Sequence, residues 1–464
     1  PEIAPIELLA GAIDQGQIGT LISLGSSPVY DAPSDLALGE RLKKVANFIH
    51  LGDYADETAK LAAWHVPQAH TFESWGDFVS SDGTVAVQQP LIAPLYPAAH
   101  SAIELLARFL GDSNPNAYII VKATNVPSEK PEDNENVWHR AVHDGIVSLG
   151  KPAAPAFDWP GLAAALASDQ GPKVPSNGAL EVNFTLSPSV LDGRFVNSSW
   201  LQELPEPMSK ITWDNAAYVS PATAKALGIE GSGTAESATE VKGDLVEITL
   251  GARTATIVAW VLPGVADSTV ILPMGYGRDL GFISKGAGFD VMPLRTSAAP
   301  YIAYGATLKK TGDRYVVATT QEYGTMVEPN TGVKRPIVRE ATVEKFAAEP
   351  AFVEKDEIMA REELTSLWVP PNETGGQQWG LTIDLNTCTG CNVCTIACQA
   401  ENNIPVVGKE RVTNGREMHW IRLDRYFTGD ENEPSAVVQP VACAQCEMAP
   451  CENVCPVAAT THSP

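Results

Sequence analysis

The chain has 464 residues, 44% hydrophobic and 19% charged, the balance of an ordinary globular protein long enough for roughly two to four cores without disulfide staples. Its 56 acidic residues against 32 basic ones give a formal net charge of −24; such a surface repels nucleic acid and anionic headgroups and would steer a basic partner. No apolar run is long enough to cross a bilayer, so any membrane association is expected to come through a partner.

Residues 18 to 125 read as alternating strands and helices, the pattern of a parallel sheet. IGTLISLG ends on Gly25 as a short strand, and Asp35 precedes a helical spacing of Leu36, Leu38, Leu42, Val45 and Phe48. FIHLGDY is a second strand leading into DETAKLAAWHVP. SAIELLARFLG is a helix closed by Gly111, and AYIIVKA a further strand. VPSEKPEDNEN (126–136) reads as a solvated loop, and the Pro and Gly of 151–179 as an irregular crossing. Two histidine pairs, His65 with His70 and His139 with His143, lack the H-E-x-x-H arrangement of a metal helix. Trp64, Trp75 and Trp138 are expected to be packing residues.

From 180 to 310 the character changes. ALEVNFTL, DLVEITLG, RTATIVAWVLPG and STVILPMGYG are β-branched runs bounded by Gly and Pro, and PATAKALGI is a short helix with Ser220 as cap and Pro221 at its first position. A β-barrel is expected. Residues 337–380 form a charged, partly helical tether, with Pro370, Pro371, Gly375 and Gly376 as a hinge.

All eight cysteines follow, in two runs. Cys388, Cys391, Cys394 and Cys398 are spaced C-x2-C-x2-C-x3-C; Cys443, Cys446, Cys451 and Cys455 are spaced C-x2-C-x4-C-x3-C, with Pro456 after the last. Three thiolates of such a run can converge on one iron–sulfur cluster while the fourth reaches toward a sister cluster. Zinc sites use two cysteine pairs rather than triplets; cysteines two residues apart seldom form disulfides; and attached haem requires C-x-x-C-H, which is absent. In a two-cluster ferredoxin, Cys388, Cys391 and Cys394 would be joined by Cys455, and Cys443, Cys446 and Cys451 by Cys398.

These segments carry three resemblances. TIDLNTCTGCNVCTIACQAENNIP with PVACAQCEMAPCENVCPVAAT resembles the four-cluster ferredoxin subunits that accompany molybdopterin oxidoreductases. There the first motif pairs with the fourth and the second with the third; Gln399 stands where simple ferredoxins place proline, and a truncated four-motif domain is the favoured reading. LISLGSSPVYDAP and DETAKLAAWHVPQAHTFESWGD, with Glu57, Thr58, Pro67, Glu73, Trp75 and Gly76 at matching places, are similar to the nucleotide-binding-like domains of molybdopterin oxidoreductases. KITWDNAAYVSPATAKALGI, GDLVEIT and PGVADSTVILPMGYGR look like the barrel that covers the pterin dinucleotide, placing Asn215, Gly275 and Gly277 where such enzymes touch it.

The expected organisation is therefore an α/β chain. A parallel-sheet molybdopterin-oxidoreductase-like domain (1–179) is followed by a β-barrel (180–336), a linker (337–380) and an incomplete ferredoxin-like iron–sulfur domain (381–464). This order resembles the iron–sulfur protein of alternative complex III. The resemblance implies an electron-transfer subunit rather than an independent catalyst, carrying [4Fe–4S] clusters, and one [3Fe–4S] as a variant in the intact chain, without molybdenum. All eight cysteines would be iron ligands. The implied partners are a polytopic quinol-binding membrane subunit and a multihaem cytochrome c subunit, on the periplasmic face of a bacterial inner membrane. A chain that opens on Pro1 and ends after two motifs is expected to be cut at both ends, its twin-arginine leader among what is missing. The rival reading is a catalytic molybdopterin-dependent oxidoreductase with a fused ferredoxin domain; a third is an assembly scaffold.

Overall fold

A computed structural model describes residues 4–126, 131–150, 158–168, 179–230, 241–321, 324, 326–327, 331–353, 377, 380–430, 433–446 and 448–461. The hinge at Pro370, Pro371, Gly375 and Gly376 lies outside the described residues. The chain divides into two compact units. One comprises Pro1–Ser176, Asp279–Lys285 and Met292–Tyr304; the other comprises Asn177–Arg278, Gly286–Val291 and Gly305–Pro464.

In the first unit, β1 (Thr20–Leu24), β2 (Asn47–Gly52) and β3 (Trp64–Pro67) form the expected parallel sheet, in the order β1-β2-β3. Leu38, Leu42, Val45 and Phe48 pack with Ala10 and Ile13 of the Ile6–Asp14 helix. The helical spacing does not reach Phe48, however. Helix Leu38–Leu42 ends early, and Phe48 lies on β2, so the same apolar residues face one core from two different elements.

A second sheet is not among the expected elements. β4 (Gly76–Val79), β5 (Val85–Gln88) and β6 (Ile146–Ser148) are antiparallel in that order. Helix Ala102–Phe109 begins at a reciprocal cap, in which Ser101 Oγ accepts from Glu104 N and the Glu104 carboxylate accepts from Ser101 N. AYIIVKA is a helix, Ala117–Asn125, rather than a strand. Asn116 caps it through Ile119 N at 3.2 Å, and the residues it buries, Ala117 and Val121, are four apart while Ile119 is exposed. Cap and burial period outweigh β-branched composition. The solvated loop is likewise overturned in part: Pro131–Asp144 is helical, and its Trp138 and Ala141 are buried in a core with Val87, Val121 and Val126. Within the expected crossing, Trp159–Ser168 is a helix.

Three residues of the sequence motif of this unit, Thr58, Glu73 and Trp75, make contacts within the fold. Thr58 is fully buried; its Oγ1 accepts from Val29 N and lies 3.2 Å from Ser27 Oγ. Glu73 accepts from His70 N and Leu95 N. Trp75 meets Tyr118 edge to face and Trp138 at a tilt, with Trp138 1% exposed, whereas Trp64 is 71% exposed and is not a packing residue.

His65 is brought against His50 rather than His70. Their Nδ1 atoms are 3.1 Å apart and the rings stack. His50 Nε2 faces Ser26 O, a pure acceptor, at 3.2 Å, so neutral His50 carries its proton on Nε2 and accepts from His65 Nδ1–H. Burial holds the His50 pKa below its ordinary value, against the opposing pull of Asp56. The folded state therefore binds fewer protons than the unfolded one below about pH 6.5, and stability falls as pH drops through that value. Thermal melts from pH 8 to 5 are expected to fall more steeply for the native chain than for His50→Gln; parallel curves would refute the assignment.

The second unit contains the barrel. Its strands are β7 (Leu180–Thr185), β8 (Ile211–Thr212), β9 (Ala217–Val219), β10 (Val241–Leu250), β11 (Arg253–Val261), β12 (Thr269–Pro273) and β13 (Ile302–Thr319). They run β10-β11-β9-β12-β7-β13-β8, and β10 also pairs with β13, which closes six strands into a ring. Closure removes the exposed edges. Inward residues alternate, with Leu180, Val182 and Phe184 buried on β7 and Val246 and Ile248 fully buried on β10. Helix Pro221–Leu227 starts as expected, with Ser220 Oγ accepting from Thr223 N, and ends on left-handed Gly228. In the tether, Val343–Ala348 is helical.

Candidate metal centre

The C-terminal part of the second unit holds helix Val393–Glu401, helix Lys409–Thr413, a long antiparallel hairpin of β14 (Ile421–Gly429) and β15 (Pro434–Ala442), and helix Pro450–Val454. The hairpin stands between the two cysteine runs. It is not among the expected elements, although the alternation of Ile421, Arg422, Leu423 and Asp424, with Leu423 buried, is a short strand signal, broken at Arg425, which is itself buried. Cys394 and Cys398 ride on helix Val393–Glu401, while Cys388 and Cys391 lie on the loop before it. Left-handed Gly390 and Asn392 curl that loop between its cysteines, and left-handed Gln445 does the same between Cys443 and Cys446.

None of the eight thiols is in a disulfide. Cys388, Cys398 and Cys455 are half-buried and the other five are exposed. Cys398, the last of the first run, and Cys443, the first of the second, line one cleft of about 980 Å3, with Asn402, Trp420, Gln439 and Gln445 among its walls. Cys398 Sγ faces Asn402 Nδ2 at 3.6 Å, and Cys455 Sγ accepts from Ala459 N at 3.1 Å. That N–H first, and then that of Val457, hold the Cys455 thiol below its ordinary pKa, the direction that favours a thiolate ligand. Among the described residues no three or more His, Cys, Asp and Glu side chains are gathered around one point. The fold instead brings one thiol of each run, Cys398 and Cys443, to a common cleft, and sets N–H groups against the sulfurs of Cys398 and Cys455.

The helix bearing the first run is turned in a way composition conceals. Thr395 and Gln399 are each 1% exposed, as is Asn392 at the helix cap, while apolar Val393 is 63% exposed. The polar face is thus buried and the cysteine face left open.

The remaining candidate residues have structural partners. Asn215, 1% exposed, donates from Nδ2 to Pro273 O and Phe289 O and accepts on Oδ1 from Phe289 N. Gly275 has φ +99°, and a Cβ there would lie 2.7 Å from Gly193 N; at Gly277 it would lie 2.4 Å from Asp290 N. Close backbone packing therefore accounts for both glycines. His70 Nδ1 accepts from Phe72 N; His139 lies 3.8 Å from Glu135 and His143 2.7 Å from Asp144.

No family model matches the chain. It is 35% identical over 128 residues to a selenate reductase subunit of Mesobacillus selenatarsenatis, covering 27% of this chain and 39% of that protein. To the iron–sulfur cluster-binding subunit of menaquinone reductase from Nitratidesulfovibrio vulgaris it is 38% identical over 84 residues, 18% of this chain and 32% of the other. The chain thus spans about a third of the length of the curated relatives it matches. Among solved structures, acetylene hydratase from Pelobacter acetylenicus aligns with a TM-score of 0.45 and 14% identity over 66% of this chain and 47% of that one.

Proposed function

We propose that this chain is the electron-transfer iron–sulfur subunit of a membrane-bound quinol oxidoreductase of the alternative complex III type. It would receive electrons from quinol oxidised at a polytopic partner and pass them singly to a multihaem cytochrome c on the periplasmic face. The observation that carries this reading is the pair of cysteine runs with Cys398 and Cys443 on one cleft. Further support comes from relatives that are subunits of reductases, one of them an iron–sulfur subunit acting with menaquinone by name. Among the described residues no helix is long and apolar enough to cross a membrane, consistent with attachment through partners.

The donor set fits iron–sulfur clusters. Cys388, Cys391 and Cys394 would serve one, Cys443, Cys446 and Cys451 another, with Cys398 and Cys455 as the lent ligands. Bound clusters would supply one-electron chemistry, splitting the two-electron oxidation of quinol. The chain's own groups would set their environment, Ala459 N–H holding negative charge at Cys455 Sγ and Asn402 doing so at Cys398. No side chain is required as a general acid or base, and the barrel serves as frame rather than cofactor site.

Anaerobically purified intact protein is expected to contain iron and acid-labile sulfide and no molybdenum, to show a reduced-cluster EPR signal, and to be reduced by quinol only with its membrane partner. Iron-free protein would refute the reading. Stoichiometric molybdenum would replace it with a catalytic one.

A further inference from the structure

Within the first cysteine run and just beyond it, the chain is gripped at several points by the segments that link the barrel strands. Glu203, at the end of helix Ser199–Glu203, is completely buried. Its carboxylate accepts from Val407 N at 3.0 and 3.1 Å, Gly408 N at 2.8 Å and Trp213 Nε1 at 3.1 Å. Trp200 Nε1, on the same helix, donates to Ile404 O at 2.8 Å. Just ahead of the Cys394 helix, Asn392 Nδ2 donates to Pro205 O at 2.7 Å. Lys409 then pairs with buried Asp214 at 2.7 Å, its ammonium 3.9 Å from the Tyr315 ring centroid.

A buried carboxylate loses its hydration and is tolerated only where hydrogen bonds replace it; an apolar side chain would fill the same volume without that loss. Two of the replacing donors at Glu203 are backbone N–H groups of the segment that leaves the Cys398 helix. That segment is tied back to the helix by Asn402 N to Cys398 O and Ile404 N to Gln399 O. The carboxylate therefore defines where the C-terminal end of this helix sits, in direction as well as distance.

We propose that the barrel is the positioning frame of the first cysteine run, and that Glu203 is a positioning residue that fixes Cys398 in the cleft it shares with Cys443. The proposal rests on the iron–sulfur reading for its purpose, but its geometry can be tested without a cluster. In metal-free protein, Glu203→Leu is expected to raise the iodoacetamide alkylation rate of half-buried Cys398 by about tenfold, leave that of exposed Cys451 unchanged, and speed amide exchange at Val407 and Gly408. Glu203→Gln, which keeps an acceptor, is expected to fall between. In the loaded protein, Glu203→Leu is expected to alter the reduced EPR line shape and increase iron loss to a chelator by roughly tenfold, within the range for outer-sphere partners of metal ligands. Ile257→Val, a barrel change remote from these contacts, is the control expected to move none of these readouts. Should Glu203→Leu not fold, Glu203→Gln with Asp214→Asn carries the same expectation at smaller size. Unchanged Cys398 alkylation in folded variants would overturn the proposal even if the native protein holds clusters; native protein without iron would overturn the cluster reading alone.

Discussion

Cys394→Ala and Cys443→Ala are each expected to strip a cluster from the purified protein and abolish electron transfer from quinol. Each removes a sulfur that the alanine methyl group cannot replace as an iron ligand. Even outer-sphere partners typically change metal affinity by about 10–100-fold, so loss of a direct ligand is expected to exceed about 100-fold. Iron and sulfide per chain, with EPR of the reduced protein, measure it directly. Cys398→Ala discriminates further. Loss of the Cys443 cluster in Cys398→Ala would mean that the two runs pair as in a two-cluster ferredoxin, in keeping with the cleft that Cys398 and Cys443 share, whereas the four-motif pairing is expected to leave that cluster intact. Full iron content in Cys394→Ala and Cys443→Ala would remove the basis of the functional reading.

Trp138→Ala is expected to destabilise the first unit by about 3–5 kcal/mol, the usual cost of emptying a large aromatic site. Trp138 is 1% exposed, donates from Nε1 to Tyr118 Oη at 3.0 Å, and lies with ring centroids 5.7 Å from Tyr118 and 5.9 Å from Trp75. Its removal would leave a void among Val87, Val121, Val126 and Ala141 and deprive Tyr118 of its donor. For a unit of this size the loss corresponds to a fall of about 6–20 °C in its melting temperature. Calorimetry should place the whole shift in one transition, with iron content and visible absorption unchanged. A shift below about 3 °C would mean that the aromatic trio is not the core of this unit.

Several features are legible in the sequence because they are fixed by residues close together in the chain. The cysteine spacings are one. The Ser220 cap followed by Pro221 is another, as are the alternating β7 and the β-branched runs of β10, β11 and β12, since pleat and cap chemistry act over a few residues. AYIIVKA fails as a strand because β-branched composition is only a weak preference, which the Asn116 cap and the burial of Ala117 and Val121 override. Pro131–Asp144 does not read as a helix because its polar sequence masks the one face that buries Trp138 and Ala141.

By itself, the sequence determined the chemistry this protein can hold: eight thiols in two runs, backed by a cysteine-free front that reads as strand, helix and barrel. Only the tertiary structure decided which of those thiols face a common space, that β10 pairs with β13 to close the barrel, and that Glu203, more than 200 positions before Val407 and Gly408, accepts from both. The reason is physical. Ligand spacing and capping are short-range and leave a pattern in the chain, whereas a buried carboxylate meeting distant backbone N–H groups leaves none, because every residue but proline donates the same amide.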